Sequence, residues 1–467
     1  MKSVSKNFIS LFLSDSLSRV FGFIATVYIA RILTVDGFGL IHYGLAFLTY
    51  AMLLTNPGVT TIGAREIARD RNNTRIVFEI LGLRITLSAV VLLLCGAGLL
   101  FIPGDPSTKA IVLIYFITLI PFSFLLEFVF QGREEMEYIG VSRILQSATY
   151  VVFLLVLVRG LENLTFVPVS YLIAYGIATA FLLFAFFRRY RSFRVRFSVR
   201  FWRELLIVST PVGLATIFNQ AALTLPPIIL GIFFAKEAVG VYSAAYKIII
   251  MLLIIERVFH YVSFPVLSKQ FTSAPKKLSS TFSLLSRIIL AITIPGTIGG
   301  IIIAGRLIAL VYGTGYQSAV LVLQILMVYF MVTPLNSILG YGLVAVDRQR
   351  RFLFVIAITA FLNVLLILAL GIKFSAPGAA IALVVSECVG LLIMNRELKK
   401  IVSFTSFTYG LKPLIAAVAM GIGMFVLRIF PLWIVIPSGL VIYCTMALVL
   451  QIFTLEELRN LRKTFIT

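Results

Sequence analysis

The chain consists of long apolar stretches separated by short polar segments in which most of the charges gather. Runs such as 90–94 (Val-Val-Leu-Leu-Leu) and 248–253 (Ile-Ile-Ile-Met-Leu-Leu) are apolar at every position and do not alternate. A strand of a transmembrane barrel would alternate, whereas a spanning helix needs about 20 apolar residues to cross a hydrocarbon core of about 30 Å. A helix also satisfies its own backbone hydrogen bonds, as lipid requires. The pattern therefore predicts an all-α integral membrane protein.

The lengths of the apolar stretches predict about fourteen transmembrane helices. The predicted spans are 8–33, 37–56, 78–102, 109–131, 140–159, 167–188, 203–233, 240–263, 283–304, 318–342, 352–371, 377–396, 409–428 and 432–453. No loop between these spans is long enough to form a soluble domain.

Composition supports the same class of protein. Of the 467 residues, 60% are hydrophobic and only 13% are charged, and the mean hydropathy is +1.06. Soluble domains usually carry about 25% charged residues, because a large surface must face water. Most of the surface of this chain is therefore expected to face lipid.

The net charge of +21 is distributed unevenly over the predicted topology. If the N-terminus lies inside, 29 of the 40 Lys and Arg residues fall in inner segments, seven in outer loops and four within spans. Inner loops of membrane proteins carry such an excess, so both termini are predicted to be cytoplasmic, in the inner (cytoplasmic) cell membrane. The basic run 188–196 is interpreted as a linker that faces anionic lipid headgroups, and no nucleic-acid partner is predicted.

Two pairs of similar segments indicate an internal repeat. The segment 35–46 can be aligned with 236–247 at an offset of 201 residues, and Gly132-Arg133 is paired with Asp347-Arg348. Because each half starts inside, the repeats are expected to be parallel, with the transport site between them. The chain is therefore predicted to form two pseudo-symmetric six-helix lobes plus two C-terminal helices. The predicted domains are an N-lobe at 1–190, a basic cytoplasmic linker at 191–202, a C-lobe at 203–400, and two additional helices with a short cytoplasmic tail at 401–467.

The sequence motifs of common soluble enzymes are absent. There is no phosphate-binding loop of the Gly-x-x-x-x-Gly-Lys-Ser/Thr type, and His42 and His260 are too far apart for a His-Glu-x-x-His zinc site. The three cysteines all lie in predicted spans, which does not fit a disulfide framework or a metal cluster. No catalytic residue, metal or cofactor is predicted. Transport is favoured over catalysis, with coupling to protons or sodium ions left open.

Apart from the charges near the span ends, which are counted with the loops, eight ionisable residues fall within the predicted spans, where a charge near the bilayer centre costs roughly 2.5–3.5 kcal/mol. These residues are Asp15, Arg19, Arg84, Glu127, Lys247, Glu256, Arg257 and Glu387. Intramembrane charges face a protein interior or a water-filled cavity, so each is a candidate functional residue.

The spacing of these charges separates structural from functional interpretations. Asp15 and Arg19 are four residues apart on one helix, which favours an ion pair, with a ligand or coupling role as the equal alternative. Glu387 has no basic residue three or four positions away, so it is predicted to act in ion handling or to bind a cation from another helix. For Arg84 and Glu127, which lie near the inner surface, the structural interpretation is favoured.

The opening of the chain contains a set of short motifs: Asn7-Phe8, 18–23 (SRVFGF), 30–39 (ARILTVDGFG), Asn56-Pro57-Gly58 and 63–69 (GAREIAR). With these motifs the chain resembles the polysaccharide transporters, which flip O-antigen and exopolysaccharide units within the multidrug/oligosaccharidyl-lipid/polysaccharide superfamily. The resemblance implies that a polyprenyl-diphosphate-linked oligosaccharide is moved from the inner to the outer leaflet by alternating access. The implied partners are this lipid-linked substrate, membrane lipids and proteins of glycan assembly.

The resemblance also assigns candidate roles to the intramembrane charges. It implies that cationic residues in a central cavity hold the diphosphate, with Arg19 in the first helix and Lys247 in the eighth as the matching positions. Arg84 and Arg257 are the further cationic candidates. Asp15, which resembles an acid of the multidrug branch, is grouped with Glu256 and Glu387 as a candidate for coupling or gating.

Two other functions stay open at the level of sequence. A cation-coupled antiporter of cationic small molecules would need an acidic cavity, whereas a diphosphate lipid needs a basic one. An intramembrane glycan polymerase or ligase would need a catalytic constellation that faces one leaflet.

Overall fold

A computed structural model describes residues 2–71, 74–101, 105–190, 197–273, 275–402 and 408–453. Over these residues the chain forms seventeen α-helices and no β-strand. The α-helices are α1 (Lys2–Ile32), α2 (Val35–Thr55), α3 (Val59–Arg69), α4 (Thr74–Gly98), α5 (Pro106–Ile117), α6 (Leu119–Ser123), α7 (Glu127–Gly132), α8 (Met136–Leu157), α9 (Phe166–Arg189), α10 (Val199–Phe233), α11 (Lys236–Leu252), α12 (Ile254–Ser273), α13 (Pro275–Tyr312), α14 (Ala319–Ala345), α15 (Gln349–Lys399), α16 (Leu411–Val426) and α17 (Leu432–Val449). The predicted all-α fold is confirmed.

Twelve helical segments in the described part of the chain are long and apolar enough to cross a membrane, with α5, α6 and α7 counted together as one, which makes this a multi-pass membrane protein. The difference from the predicted fourteen lies in two places. The first helix, α1, is not among the twelve, and α15 counts once although the sequence predicts two spans there. Ser375 interrupts α15 with non-helical backbone angles (φ 51°, ψ −127°), so two helical segments meet at that residue.

The predicted span 109–131 is not one helix. It is divided into α5, α6 and α7, with breaks near Thr118 and at Phe124–Leu126. Pro121 contributes to the interruption because it has no backbone N–H to donate to the helix. The second break is also stabilised from outside, by a side chain of α4 that is described below.

The chain divides into two compact units, Met1–Gly240 and Val241–Thr467. In the first unit, α1 packs on α8, α8 on α9, α2 on α5 and α10, and α3 on α7. Its apolar core includes Ile67, Val77, Phe128, Phe130 and Phe186. Helix α10 packs against α2 and α3 and belongs to the first unit.

In the second unit, α14 packs against α12, α13 and α15, and α16 packs on α13 and α17. The apolar core around α14 includes Phe282, Leu339, Val355 and Leu398. The predicted lobes and linker stay predictions. Residues 191–196 of the linker and 454–467 of the cytoplasmic tail lie outside the described part of the chain.

The local geometry of the predicted repeats matches in one place and shifts in another. Helices α2 and α11 start at Val35 and Lys236, which is the predicted offset of 201 residues. The inner turns match at a different register: Glu134 and Asp347 both have positive φ (62° and 60°). Each turn is closed by an i→i−5 amide hydrogen bond, as in a Schellman motif. The predicted pairing of Gly132 with Asp347 was therefore wrong by two residues, because the backbone angles rather than the side chains define the register.

Candidate functional site

The start of α2 and the first turn of α11 approach closely at the predicted outer side of the membrane. A Cβ atom on Gly39 would lie less than 3.0 Å from the carbonyl oxygen of Lys236 and from the amide of Gly240. A Cβ atom on Gly240 would likewise overlap the carbonyl oxygen of Val35. Small residues allow helix backbones to approach in this way in membranes. Both glycines are part of the predicted repeat, so the contact joins equivalent positions.

An ion pair lies beside this glycine contact. Lys236 Nζ is 2.7 Å from Asp105 Oδ1, and it also donates to the hydroxyl of Thr108. The hydrogen bond from Lys236 holds the pKa of Asp105 below its usual range. The carboxylate is therefore ionised at neutral pH, and the pair holds the start of α5 to the start of α11.

On α1, Asp15 and Arg19 form the ion pair that their spacing favours. Arg19 Nε donates to Asp15 Oδ2 at 2.9 Å, and the side chains of Arg19 and Asp15 are 26% and 42% exposed respectively. The pair neutralises two charges in a predicted span and still leaves the guanidinium partly open to other partners.

A second ion pair lies on the neighbouring helices of the same unit. Arg143 of α8 directs Nε and Nη2 at the two carboxylate oxygens of Glu127 at the start of α7, at 3.2 and 3.0 Å. Arg143 also interacts electrostatically with Asp15. Since α1 packs on α8, the four charges form one network, and Glu127 also interacts electrostatically with Arg84. The sequence pattern placed Arg143 among the inner basic residues and gave no sign of this role.

Arg84, a predicted substrate contact, is instead enclosed by the protein. It is 1% exposed, it donates from Nη1 to the carbonyl oxygen of Leu125 at 2.7 Å, and it donates from Nη2 to the carbonyl oxygen of Phe122. Its guanidinium also lies 5.0 Å from the centre of the Phe122 ring. Phe122 lies in the last turn of α6 and Leu125 in the break between α6 and α7, where the regular helical hydrogen bonds are interrupted. Arg84 thus provides hydrogen bonds to backbone carbonyls at a helix break, and in this conformation no substrate can reach it.

In the second unit, two carboxylates meet along α14. Asn336 donates from Nδ2 to Glu387 Oε1 at 2.9 Å, and the next residue, Ser337, donates to Glu256 Oε1. Glu256 and Glu387 are close enough to interact electrostatically. The Oδ1 atom of Asn336 is buried without a hydrogen-bond partner among the described residues, and the hydroxyl of Thr333 is buried close to Glu387. The structure therefore brings together two of the three predicted coupling residues.

The remaining predicted cations lie on α11 and α12. Lys247 is half-buried, and within the described part of the chain its ammonium group has no hydrogen-bond or ion-pair partner. The side chain of Arg257 lies outside the described residues. Its predicted role stays a prediction, as do those of Arg19 and Lys247.

The motif Asn56-Pro57-Gly58 has a structural function in the fold. Gly58 adopts a left-handed conformation (φ 78°), and Asn56 Oδ1 accepts a hydrogen bond from the amide of Thr60 at 3.1 Å at the start of α3. A Cβ atom on Gly58 would overlap the carbonyl oxygen of Ser209 on α10. The motif thus forms a tight turn on which α10 packs.

These features define an all-helical, multi-pass membrane protein with charge networks inside its spans. Residues 4–271 match the family described as polysaccharide biosynthesis protein, and the chain belongs to that family. Over 400 residues it is 22% identical to a putative O-antigen transporter of Escherichia coli K12, covering 84% of this chain and 96% of that protein. Over 184 residues it is 30% identical to a probable flippase, AglR, of Haloferax volcanii, covering 38% of each chain.

Solved structures share the fold. The lipid II flippase MurJ in an inward closed conformation has a TM-score of 0.75 at 14% identity, covering 95% of this chain and 99% of MurJ. An inward-facing multidrug resistance MATE family transporter has a TM-score of 0.64 at 14% identity, covering 82% of this chain and 95% of that one. At these identities the likeness establishes the transporter fold.

Proposed function

We propose that this protein is a flippase that moves polyprenyl-diphosphate-linked oligosaccharides across the cytoplasmic membrane by alternating access. The observation that carries the proposal is the presence of partly exposed arginines in the spans of a chain that belongs to the polysaccharide biosynthesis protein family. A diphosphate that crosses hydrocarbon needs counter-charge along its route. The names of the relatives, a putative O-antigen transporter and a probable flippase, agree with this substrate class.

In this proposal Arg19 contacts the diphosphate from α1, because its guanidinium offers forked donors that match phosphate oxygens. Lys247 supplies a second cation, since its ammonium group is not committed to another described residue. Arg84 has a structural role, because its donors are already used by backbone carbonyls. The lipid tail stays in the bilayer while the charged head and the glycan move.

Alternating access requires contacts that form on one side of the membrane and separate in turn. The contact at Gly39 and Gly240, with the Asp105–Lys236 ion pair beside it, has the properties of an outer gate. An exposed ion pair contributes about 0–1 kcal/mol, so it separates at little cost. The glycines permit close backbone approach without interlocking side chains.

Substrate movement is tested with purified protein in proteoliposomes that contain a fluorescent polyprenyl-diphosphate oligosaccharide. A membrane-impermeant glycosidase reports how much substrate has reached the outer leaflet. The expected result is protein-dependent exposure of the glycan, with no accumulation of cationic dyes under a proton or sodium gradient. Dye accumulation without glycan exposure would contradict the proposal and favour a cation-coupled antiporter.

Glu387 and Glu256 are proposed to couple this movement to a proton or sodium ion. Their carboxylates, with the buried oxygens of Asn336 and Thr333, offer the oxygen ligands that hard cations prefer. A carboxylate in an apolar bundle either takes up a proton or binds a cation. Both responses would change when access to the two sides of the membrane alternates.

Replacing Glu387 by glutamine is expected to slow glycan flipping about fivefold or more and to abolish its response to an imposed ion gradient. The amide keeps the shape and the contact with Asn336 but removes the titratable charge. Flipping is measured in proteoliposomes with and without proton or sodium gradients. The matched control is Glu397→Gln at the end of the same helix, where the carboxylate pairs with Lys400. A Glu387→Gln protein that responds to gradients like the parent shows that the residue is structural.

A further inference from the structure

In the network on α1, α7 and α8, each arginine donates its side-chain hydrogen bonds to an acidic residue. The guanidinium of Arg143 is held by both oxygens of Glu127, and that of Arg19 by Asp15. A carboxylate that accepts two parallel N–H bonds uses the same fork geometry that a phosphate uses. The acids therefore compete directly with an anionic ligand for the arginines.

A diphosphate site without substrate would leave its arginines without counter-charges, and the pairing with acids avoids this. An unpaired arginine at the centre of a bilayer costs roughly 2.5–3.5 kcal/mol on insertion scales. Asp15 and Glu127 neutralise the arginines while no substrate is bound. A flippase must also let its product leave, and internal acids supply the competing partner that promotes release.

Exposure separates these pairs from the structural arginine of the same unit. Arg143 and Glu127 are 40% and 28% exposed, whereas Arg84 is 1% exposed and bound to backbone carbonyls that cannot move aside. A partly exposed side-chain carboxylate can rotate away from its arginine by changing rotamer. Arg143 can therefore exchange Glu127 for another anionic partner, whereas the contacts of Arg84 with the backbone are fixed.

We infer that Glu127 and Asp15 occupy the diphosphate positions of the empty protein, and that the substrate displaces them from Arg143 and Arg19. This inference rests on the proposed function and adds Arg143 as a direct substrate contact and Glu127 as its competing acid. A diphosphate displaces a carboxylate because it brings more charge and more acceptor oxygens to the same donors. An uncharged lipid has no means of displacing the acids, so the exchange also selects for an anionic headgroup.

The test measures binding of farnesyl diphosphate to the full-length protein in nanodiscs. Glu127→Gln is expected to tighten binding about tenfold, since a neutral amide competes poorly for a guanidinium. Arg143→Ala is expected to weaken binding about tenfold or more, and Arg143→Lys to recover part of the loss, because lysine lacks the fork. The double variant Glu127→Gln/Arg143→Ala should bind like Arg143→Ala alone.

The matched control is Glu135→Gln, which removes an acid that pairs with Arg189 at 3.0 Å, outside the network. This variant should bind farnesyl diphosphate like the parent. A tightening of equal size in Glu135→Gln would show a general charge effect and overturn the inference. Unchanged binding in both Glu127→Gln and Arg143→Ala would also overturn it and would leave the pair as a structural contact.

Failure of the inference and failure of the proposed function give different results. If the parent binds farnesyl diphosphate and flips the lipid-linked oligosaccharide, but the Glu127 and Arg143 variants behave like the parent, only the exchange is wrong. If the parent neither binds the diphosphate nor flips the oligosaccharide, the proposed function itself is wrong. Where Arg143→Ala fails to reach the membrane, Arg143→Lys and Glu127→Gln still decide the question, because both retain a polar side chain in the pair.

Discussion

Replacing Gly39 by alanine is expected to reduce glycan flipping at least about tenfold. The new Cβ would lie less than 3.0 Å from backbone atoms of Lys236 and Gly240, neither of which can rotate away as a flexible side chain would. Overpacking of this kind typically costs about 1–3 kcal/mol, and about 1.4 kcal/mol corresponds to tenfold in an equilibrium. The closed arrangement of the outer gate would be disfavoured by that amount.

Gly37 provides the control on the same helical turn. A Cβ there would meet nothing closer than 3.4 Å, so Gly37→Ala is expected to stay within about twofold of the parent. Flipping in proteoliposomes measures both variants. Gly240→Ala, which overlaps the carbonyl of Val35, should reproduce the defect from the other helix.

A labelling experiment links the Gly39 defect to the gate. Val239 is fully buried in the first turn of α11, so a cysteine there should react slowly with a membrane-impermeant maleimide. The three native cysteines are first replaced by serine. Gly39→Ala should accelerate the labelling at position 239. If Gly39→Ala flips substrate and labels like the parent, the glycine contact has no part in the transport cycle.

Arg19→Ala is expected to abolish flipping while the protein still inserts into the membrane. Arg19 lies within a predicted span, its guanidinium is partly exposed beside Asp15, and alanine removes every donor for the diphosphate. Lysine at this position should rescue flipping only in part, because it keeps the charge and loses the fork. Membrane insertion is followed by immunoblotting of membrane fractions, and flipping by glycosidase access to the outer leaflet. Normal glycan export from Arg19→Ala would refute a substrate role.

A double variant separates substrate binding from a structural ion pair. In Asp15→Asn/Arg19→Gln both charges are removed and both side chains can still form hydrogen bonds. If the pair only stabilised the fold, joint neutralisation should restore much of what Arg19→Ala loses, because neither residue of the pair is left charged without the other. A substrate role predicts no recovery of flipping. Recovery to parental rates would therefore assign Arg19 to the structure rather than to transport.

Features that arise within one helix or one loop could be predicted from the amino-acid sequence. The length of the apolar runs gave the helical, multi-pass architecture, because the bilayer thickness fixes the length of a span. The i,i+4 spacing of Asp15 and Arg19 predicted their ion pair, because 3.6 residues per turn bring these positions together. The matching starts of α2 and α11 likewise followed from the similarity of the segments 35–46 and 236–247, which are 201 residues apart.

Contacts between residues on different helices could not be predicted from the sequence and are visible only in the fold. Arg143 and Glu127 are 16 residues apart on different helices, and Glu387 and Asn336 are 51 residues apart. For Arg84 the sequence favoured a structural role and kept substrate contact as a candidate, and only the fold shows that the break between α6 and α7 uses its donors. Helix periodicity describes which face a residue shares with its own neighbours. It does not describe which other helix packs against that face, because that depends on the shapes and sizes of side chains from several helices at once.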